Sequence, residues 1–253
     1  TGCATQSSSP QTNTTLVFVH GAHLTAQSWQ QVEQFLADEK LSTLAVNLPG
    51  RTIQEDPKQI TLDVSSQSLC QAISSIDGDI IYVAHSQGGA VVNQALSICP
   101  NSQVKHIIYV ASVAPLNGET PFSRLNKADE NHYFKAVEYQ ENTGWMAITK
   151  PNEFARVFAS SNAENILNTV LSDAVNEPAV IGEGIIKLDK NLFNKITKSY
   201  VFTEQDNIIS LPSQKLIAKH INLKNQSSLN TGHLPMITTP KLLAAAIQNI
   251  IRK

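Results

Sequence analysis

The chain has 253 residues, a net charge of −2 and a hydrophobic share of 42 %. That apolar share supplies a full core and excludes wholesale disorder, and the near-neutral charge excludes a basic nucleic-acid-binding surface. No run of 18 apolar residues occurs, the length a spanning helix needs, and three cysteines without paired spacing exclude a disulfide-built scaffold and a zinc ribbon.

Residues 1–15, TGCATQSSSPQTNTT, are small and polar and predict a flexible leader. Thr1-Gly2-Cys3 resembles the tail of a bacterial lipoprotein signal, in which the Cys becomes the lipidated residue. The expectation is a lipid on Cys3 and a periplasm-facing place in the bacterial cell envelope. The alternative is an ordinary cytoplasmic start.

From Leu16 the chain alternates. Short apolar runs at Leu16–Val19, Thr43–Val46, Ile80–Ala84, Ile107–Ala111, Ser199–Phe202 and roughly 221–229 predict strands. Most are continuous and β-branched, as buried parallel strands are, and the last is polar enough for an edge. Helical spacing covers Ala26–Lys40, Leu62–Ile76, Gly89–Ile98, Leu211–Lys219 and Pro240–Ile251. In the last of these, Leu242, Leu243, Ala246, Ile247 and Ile250 share one face. The alternation predicts an α/β fold with a parallel sheet covered on both faces. It breaks once, over 116–195, which holds helical stretches at 152–159 and 163–171, many aromatics and no clear strand. This is read as a helical cap inserted into a core of 16–115 and 196–253.

The sharpest chemical signal is Ala84-His85-Ser86-Gln87-Gly88, where a strand meets a helix. Small residues two before and two after a serine permit the tight turn of a nucleophile elbow. That turn exposes the Ser86 hydroxyl and sets the Gln87 N–H at a helix N-terminus, where it can stabilise an oxyanion. At the end of the first strand, Gly21 lets the chain pass close, and the Ala22 N–H is the second candidate donor. His20 reads as a structural hydrogen-bonder, and His23 as either a pocket residue or an exposed one. A zinc site on His20 and His23 lacks a third ligand nearby. His233, on the loop after the last strand, suits a general base near neutral pH. Asp206 is the preferred acid at the end of the preceding strand, with Glu204 the alternative. The order Ser86, Asp206, His233 is that of an α/β-hydrolase triad.

With these segments placed, the chain resembles the α/β-hydrolases. More narrowly, it resembles the plant methyl-salicylate and methyl-jasmonate esterases and hydroxynitrile lyases, together with the small bacterial esterases. The likeness rests on His20-Gly21-Ala22 with Trp29, His85–Gly89, Ala111–Pro115, Thr203–Asp206 and Gly232–Met236. It implies a six-stranded, mostly parallel sheet with helices on both faces and a helical cap over the site. The lyases of this family carry Thr where Gly21 stands and Lys where Leu234 stands, so the esterase branch fits better.

The expected activity is hydrolysis of a small, largely apolar carboxylic ester through an acyl-enzyme on Ser86, with no metal or organic cofactor. A lactonase, acyl-homoserine lactones included, would use the same triad. A hydroxynitrile lyase and a non-catalytic ligand-binding protein of the same fold are the remaining readings. His23, Phe122, Trp145, Phe158 and Leu234 are the expected pocket residues. The expected partner is a small ester or lactone; nucleic acid is not expected, and membrane only through Cys3. Cys70 and Cys99 fall on neighbouring helices, as a disulfide or as two free thiols.

Overall fold

The computed structural model describes residues 13–37 and 41–253. Most of the polar leader, with Cys3, lies outside the described residues, as do the last residues of the helix predicted over 26–40.

Among the described residues nine strands form: β1 (Thr14–Val19), β2 (Ser42–Val46), β3 (Asp79–His85), β4 (Val104–Val110), β5 (Val137–Gln140), β6 (Trp145–Ile148), β7 (Glu177–Pro178), β8 (Thr197–Thr203) and β9 (Asn225–Leu229). Six of them build one sheet in the order β2-β1-β3-β4-β8-β9, with every neighbouring pair parallel. Leu16, Val17, Phe18 and Val19 of β1 are all fully buried. This explains the unbroken apolar run: both faces of a central parallel strand are covered. Along β9, half-buried and exposed residues alternate, as the polar edge strand requires.

The helices α1 (Gln30–Leu36), α2 (Leu62–Ile73), α3 (Gly88–Ile98), α4 (Lys127–Tyr133), α5 (Pro151–Ala159), α6 (Glu164–Asp173), α7 (Lys190–Lys195), α8 (Leu211–Lys219), α9 (Pro235–Thr238) and α10 (Pro240–Arg252) complete the fold. α2 packs on α3, and α1 on α10. On α10, Leu243, Ala246, Ile247 and Ile250 are buried, but Leu242 is 59 % exposed. The buried stripe is Leu243, Ala244, Ala246, Ile247 and Ile250, so Ala244 rather than Leu242 completes it.

Strand register places the site. Val19 lies opposite Ala84, and His85 opposite Val110, so β1, β3 and β4 end level with one another. The sheet order reverses between β1, which leads to β2 on one side, and β3, which leads to β4 on the other. A crevice opens where such connections diverge beyond the carboxyl ends of the strands.

The segment between β4 and β8 is not purely helical. Besides α4, α5, α6 and α7 it carries an antiparallel sheet in the order β5-β6-β7. β5 has only Val137 buried and three exposed residues after it, so it shows no apolar run. The turn into β6 is made by Gly144 at φ 88°, a conformation open to glycine.

Cys70 of α2 and Cys99, just past α3, form a disulfide with their Cα atoms 6.0 Å apart. Closing this loop restricts the unfolded chain, and its expected contribution is about 3 kcal/mol. Urea unfolding of the Cys70→Ala/Cys99→Ala variant is expected to show a loss of that order with the far-UV spectrum unchanged. Equal stability of the two proteins contradicts the pairing.

Candidate active site

β3 ends at His85 and α3 starts at Gly88, so the chain turns within two residues. Ser86 takes a left-handed backbone, φ 53°, which is uncommon outside glycine. Hydrogen bonds hold it there. Its N–H donates to Val110 O (3.3 Å), and its carbonyl accepts from the N–H groups of Gly89 (3.1 Å) and Val113 (3.2 Å). The Ser112 hydroxyl adds a third donor to that carbonyl at 2.9 Å. The turn also needs space. A Cβ on Gly88 would lie 2.6 Å from Val19 O, and one on Gly21 would lie 2.7 Å from the Ser86 Cβ.

The Ser86 hydroxyl meets His233 Nε2 at 2.9 Å. His233 Nδ1 meets Asp206 Oδ2 at 2.7 Å. A carboxylate only accepts, so Nδ1 carries the proton and Nε2 is left to accept from Ser86. Asp206 is itself fixed: Oδ2 accepts from the Thr203 hydroxyl (2.8 Å), and Oδ1 from the N–H groups of Ile208 (2.8 Å) and Ile209 (2.9 Å). Glu204, the alternative acid, is exposed. The His233 backbone is pinned from two sides. Its N–H donates to Phe158 O of α5 at 3.0 Å, and its carbonyl accepts from His85 Nε2 at 2.7 Å. Nothing in sequence spacing marks His85 as the support beneath the His233 loop.

Three other histidines lie buried around this centre. His20 donates from Nδ1 to Gly21 O (2.9 Å) and accepts at Nε2 from Leu48 N–H (3.1 Å), the structural role expected for it. Burial, aided by the Arg51 charge, pushes its pKa down to about 3. His85 is held well below its ordinary value by burial and by the neighbouring His233. His23 is fully buried, donates from Nδ1 to Val175 O (2.8 Å) and accepts at Nε2 from the Tyr133 hydroxyl (2.7 Å). Burial lowers its pKa as well.

A cavity of about 320 Å³ opens over Ser86. Ala22 and Gln87, the expected oxyanion donors, lie on its wall beside the serine. Phe122 and Phe158 line it too, together with Leu125, Tyr133, Met146 and Ile209. Three expected pocket residues do not. His23 stands behind Tyr133 rather than on the wall. Leu234 is fully buried in the core. Trp145 lines a separate cavity with Leu171 and Ala174, on the opposite side of β6 from its neighbour Met146, which lines the active-site cavity. One wall residue has no sequence signal: Glu177, a buried carboxylate of β7.

The alpha/beta hydrolase family model matches residues 16–246, and the chain belongs to that family. It is 22 % identical over 244 residues to the chloroplastic methylesterase 14 of Arabidopsis thaliana, an assignment its name marks as provisional. The match covers 90 % of this chain and 69 % of that protein. Among solved structures, a pyrethroid hydrolase from Sphingobium faniae superimposes with a TM-score of 0.83 at 18 % identity, over 95 % of this chain and 98 % of that one. Polyneuridine aldehyde esterase gives 0.82 at 18 % identity, over 94 % and 99 %.

The buried imidazoles make stability depend on pH with a definite sign. Their folded pKa values lie below the ordinary 6.5, so the unfolded chain takes up protons first as pH falls. The stability they contribute is present above about 6.5 and is lost on acidification. Asp173, whose carboxyl burial pushes up, works in the opposite direction as a single group. The unfolding free energy is therefore expected to fall from about pH 7 to about pH 5, by up to about 1.4 kcal/mol per pH unit for each neutral imidazole. A flat urea-denaturation profile over that range contradicts it.

Proposed function

We propose that the chain is a carboxylic ester hydrolase working through an acyl-enzyme on Ser86. The observation that carries this reading is the hydrogen-bonded line Ser86–His233–Asp206 opening into the base of the cavity. Ser86 Oγ attacks the ester carbonyl carbon while His233 Nε2 takes the hydroxyl proton. The carbonyl electron pair moves onto oxygen, which accepts hydrogen bonds from the Ala22 and Gln87 N–H groups. Collapse of this intermediate breaks the bond to the alcohol oxygen, and His233 returns its proton to the leaving alcohol. Water then attacks the acyl-enzyme with His233 again as base, releasing the acid and restoring Ser86. Asp206 holds the His233 ring in the required tautomer and stabilises the imidazolium in each half-reaction.

The substrate class follows from the wall. Its aromatic and aliphatic side chains suit a compact apolar ester. Its charged members, Asp129, Glu130, Glu177 and Glu183, are all acidic. Arg51 offsets Glu177 and Lys127 offsets Glu130, but among the described residues the wall carries no cation to hold an anionic substrate, which favours a neutral ester. The methylesterase, pyrethroid hydrolase and esterase names of the similar proteins support ester hydrolysis as the reaction.

Kinetics on p-nitrophenyl butyrate, its singly anionic hemisuccinate counterpart and a long-acyl homoserine lactone test the reading. The neutral ester is expected to turn over fastest, and Ser86→Ala to lose about 10⁵-fold or more in kcat. Retained hydrolysis in Ser86→Ala overturns the mechanism. Preference for the lactone replaces the substrate class, and preference for the anionic ester removes the electrostatic argument.

A further inference from the structure

Glu177 is 3 % exposed, lies on the cavity wall and has no part in the proton transfers above. A buried carboxylate this close to a reaction that builds negative charge on oxygen demands a reason. We infer that Glu177 is a positioning residue for the oxyanion site, one carboxylate that sets the spacing of the two backbone donors. The inference rests on the ester-hydrolase reading.

The geometry is specific. The second donor belongs to Gln87, and the Gln87 side-chain amide donates from Nε2 to Glu177 Oε1 at 2.7 Å. The first donor belongs to Ala22, and the N–H of the next residue, His23, donates to Glu177 Oε2 at 3.1 Å. The two segments come from the ends of different strands, β3 and β1. Glu177 joins them from a third direction, the insertion between β4 and β8.

Arg51 completes the arrangement. Its Nη2 donates to Glu177 Oε2 at 2.7 Å, and its Nη1 to Leu24 O at 2.7 Å. An uncompensated carboxylate here would oppose a developing oxyanion, since the Coulomb term is strong where water is excluded. Paired with Arg51, Glu177 orients both donor segments while its charge is offset. The strand-end loop is tied to the insertion elsewhere as well. Val175 N–H donates to His23 O at 3.0 Å, and Asp173 accepts from Thr25 through both its N–H, at 3.0 Å, and its hydroxyl. The donors are thus aligned when the insertion is seated on the core.

The test compares Glu177→Gln, Arg51→Met, the double variant and Gln87→Met on p-nitrophenyl butyrate, with active sites counted by fluorophosphonate titration. Glu177→Gln is expected to lower kcat per titrated site about 10- to 100-fold while KM moves less than about threefold. Affinity for a trifluoromethyl ketone, whose hemiketal on Ser86 carries an oxyanion, is expected to fall by the same factor. Arg51→Met, which leaves the carboxylate bare, is expected to be slower still, and the double variant to recover part of that loss. Gln87→Met removes only the side-chain arm from an otherwise intact fold, and is expected to lower kcat by a smaller factor of the same kind.

A purely structural role would lower the count of titratable sites and leave kcat per site unchanged; that result overturns the inference. Ketone affinity that stays at the wild-type value while kcat falls also overturns it. A wild type that neither hydrolyses the ester nor reacts with the probe overturns the ester-hydrolase reading, and the positioning role falls with it.

Discussion

The left-handed turn at Ser86 is the constraint around which the surrounding structure is arranged. A non-glycine residue at φ 53° costs on the order of 1–3 kcal/mol and persists only where its neighbours over-determine it. Here they do. Val110 accepts from the Ser86 amide, three donors converge on its carbonyl, and the glycines at 21 and 88 let backbone approach where a side chain would collide. The turn lifts the hydroxyl beyond the sheet edge and starts α3 at once, so Gln87 leads a helix. The His20-Gly21-Ala22 segment must then lie against it, and the loop bearing His233 must reach across from β9. Both are braced by imidazoles, His20 to Leu48 and His85 to the His233 carbonyl.

Charge is handled differently at two buried carboxylates, Asp206 and Glu177. Asp206 is stabilised by backbone and hydroxyl donors and by the His233 ring, a set that can accept a positive charge on imidazole without rearranging. Glu177 is stabilised by a guanidinium, a permanent charge that needs no proton. The first partner set suits a group whose neighbour changes charge during turnover. The second suits a strut whose charge must stay offset throughout. His20, His23 and His85 remain neutral under their burial, so they brace loops without placing further cations beside the site.

How much of this was legible in the sequence depended on the range of the interactions involved. The central strands could be read because burial on both faces demands unbroken β-branched runs, and Leu16–Val19 has one. The elbow could be read because its turn excludes bulk at fixed offsets from Ser86. Asp206 could be ranked but not separated from Glu204, since burial decides between acids two positions apart. Four-residue strands such as β5 carry too little pattern to be seen, so the insertion read as helical. Trp145 was the conspicuous aromatic of β6, yet the pleat gives the site its neighbour Met146. The Cys70–Cys99 pairing needed the distance between two helix positions, and Glu177 needed three contacts across the fold. Neither leaves a local mark.

The insertion is more than a source of apolar wall. Through Phe158 O it holds the His233 amide, and through residues 173–177 it grips the loop after β1. On the proposed reading, substrate selection and donor alignment share one structural element. All of this rests on Ser86 being the activated nucleophile. The most direct measurement is the intact mass of the folded chain after reaction with a fluorophosphonate, followed by peptide mapping. The account predicts a single adduct on the peptide carrying Ser86 and none in Ser86→Ala. An unmodified folded wild type, or an adduct that survives in Ser86→Ala, would contradict it.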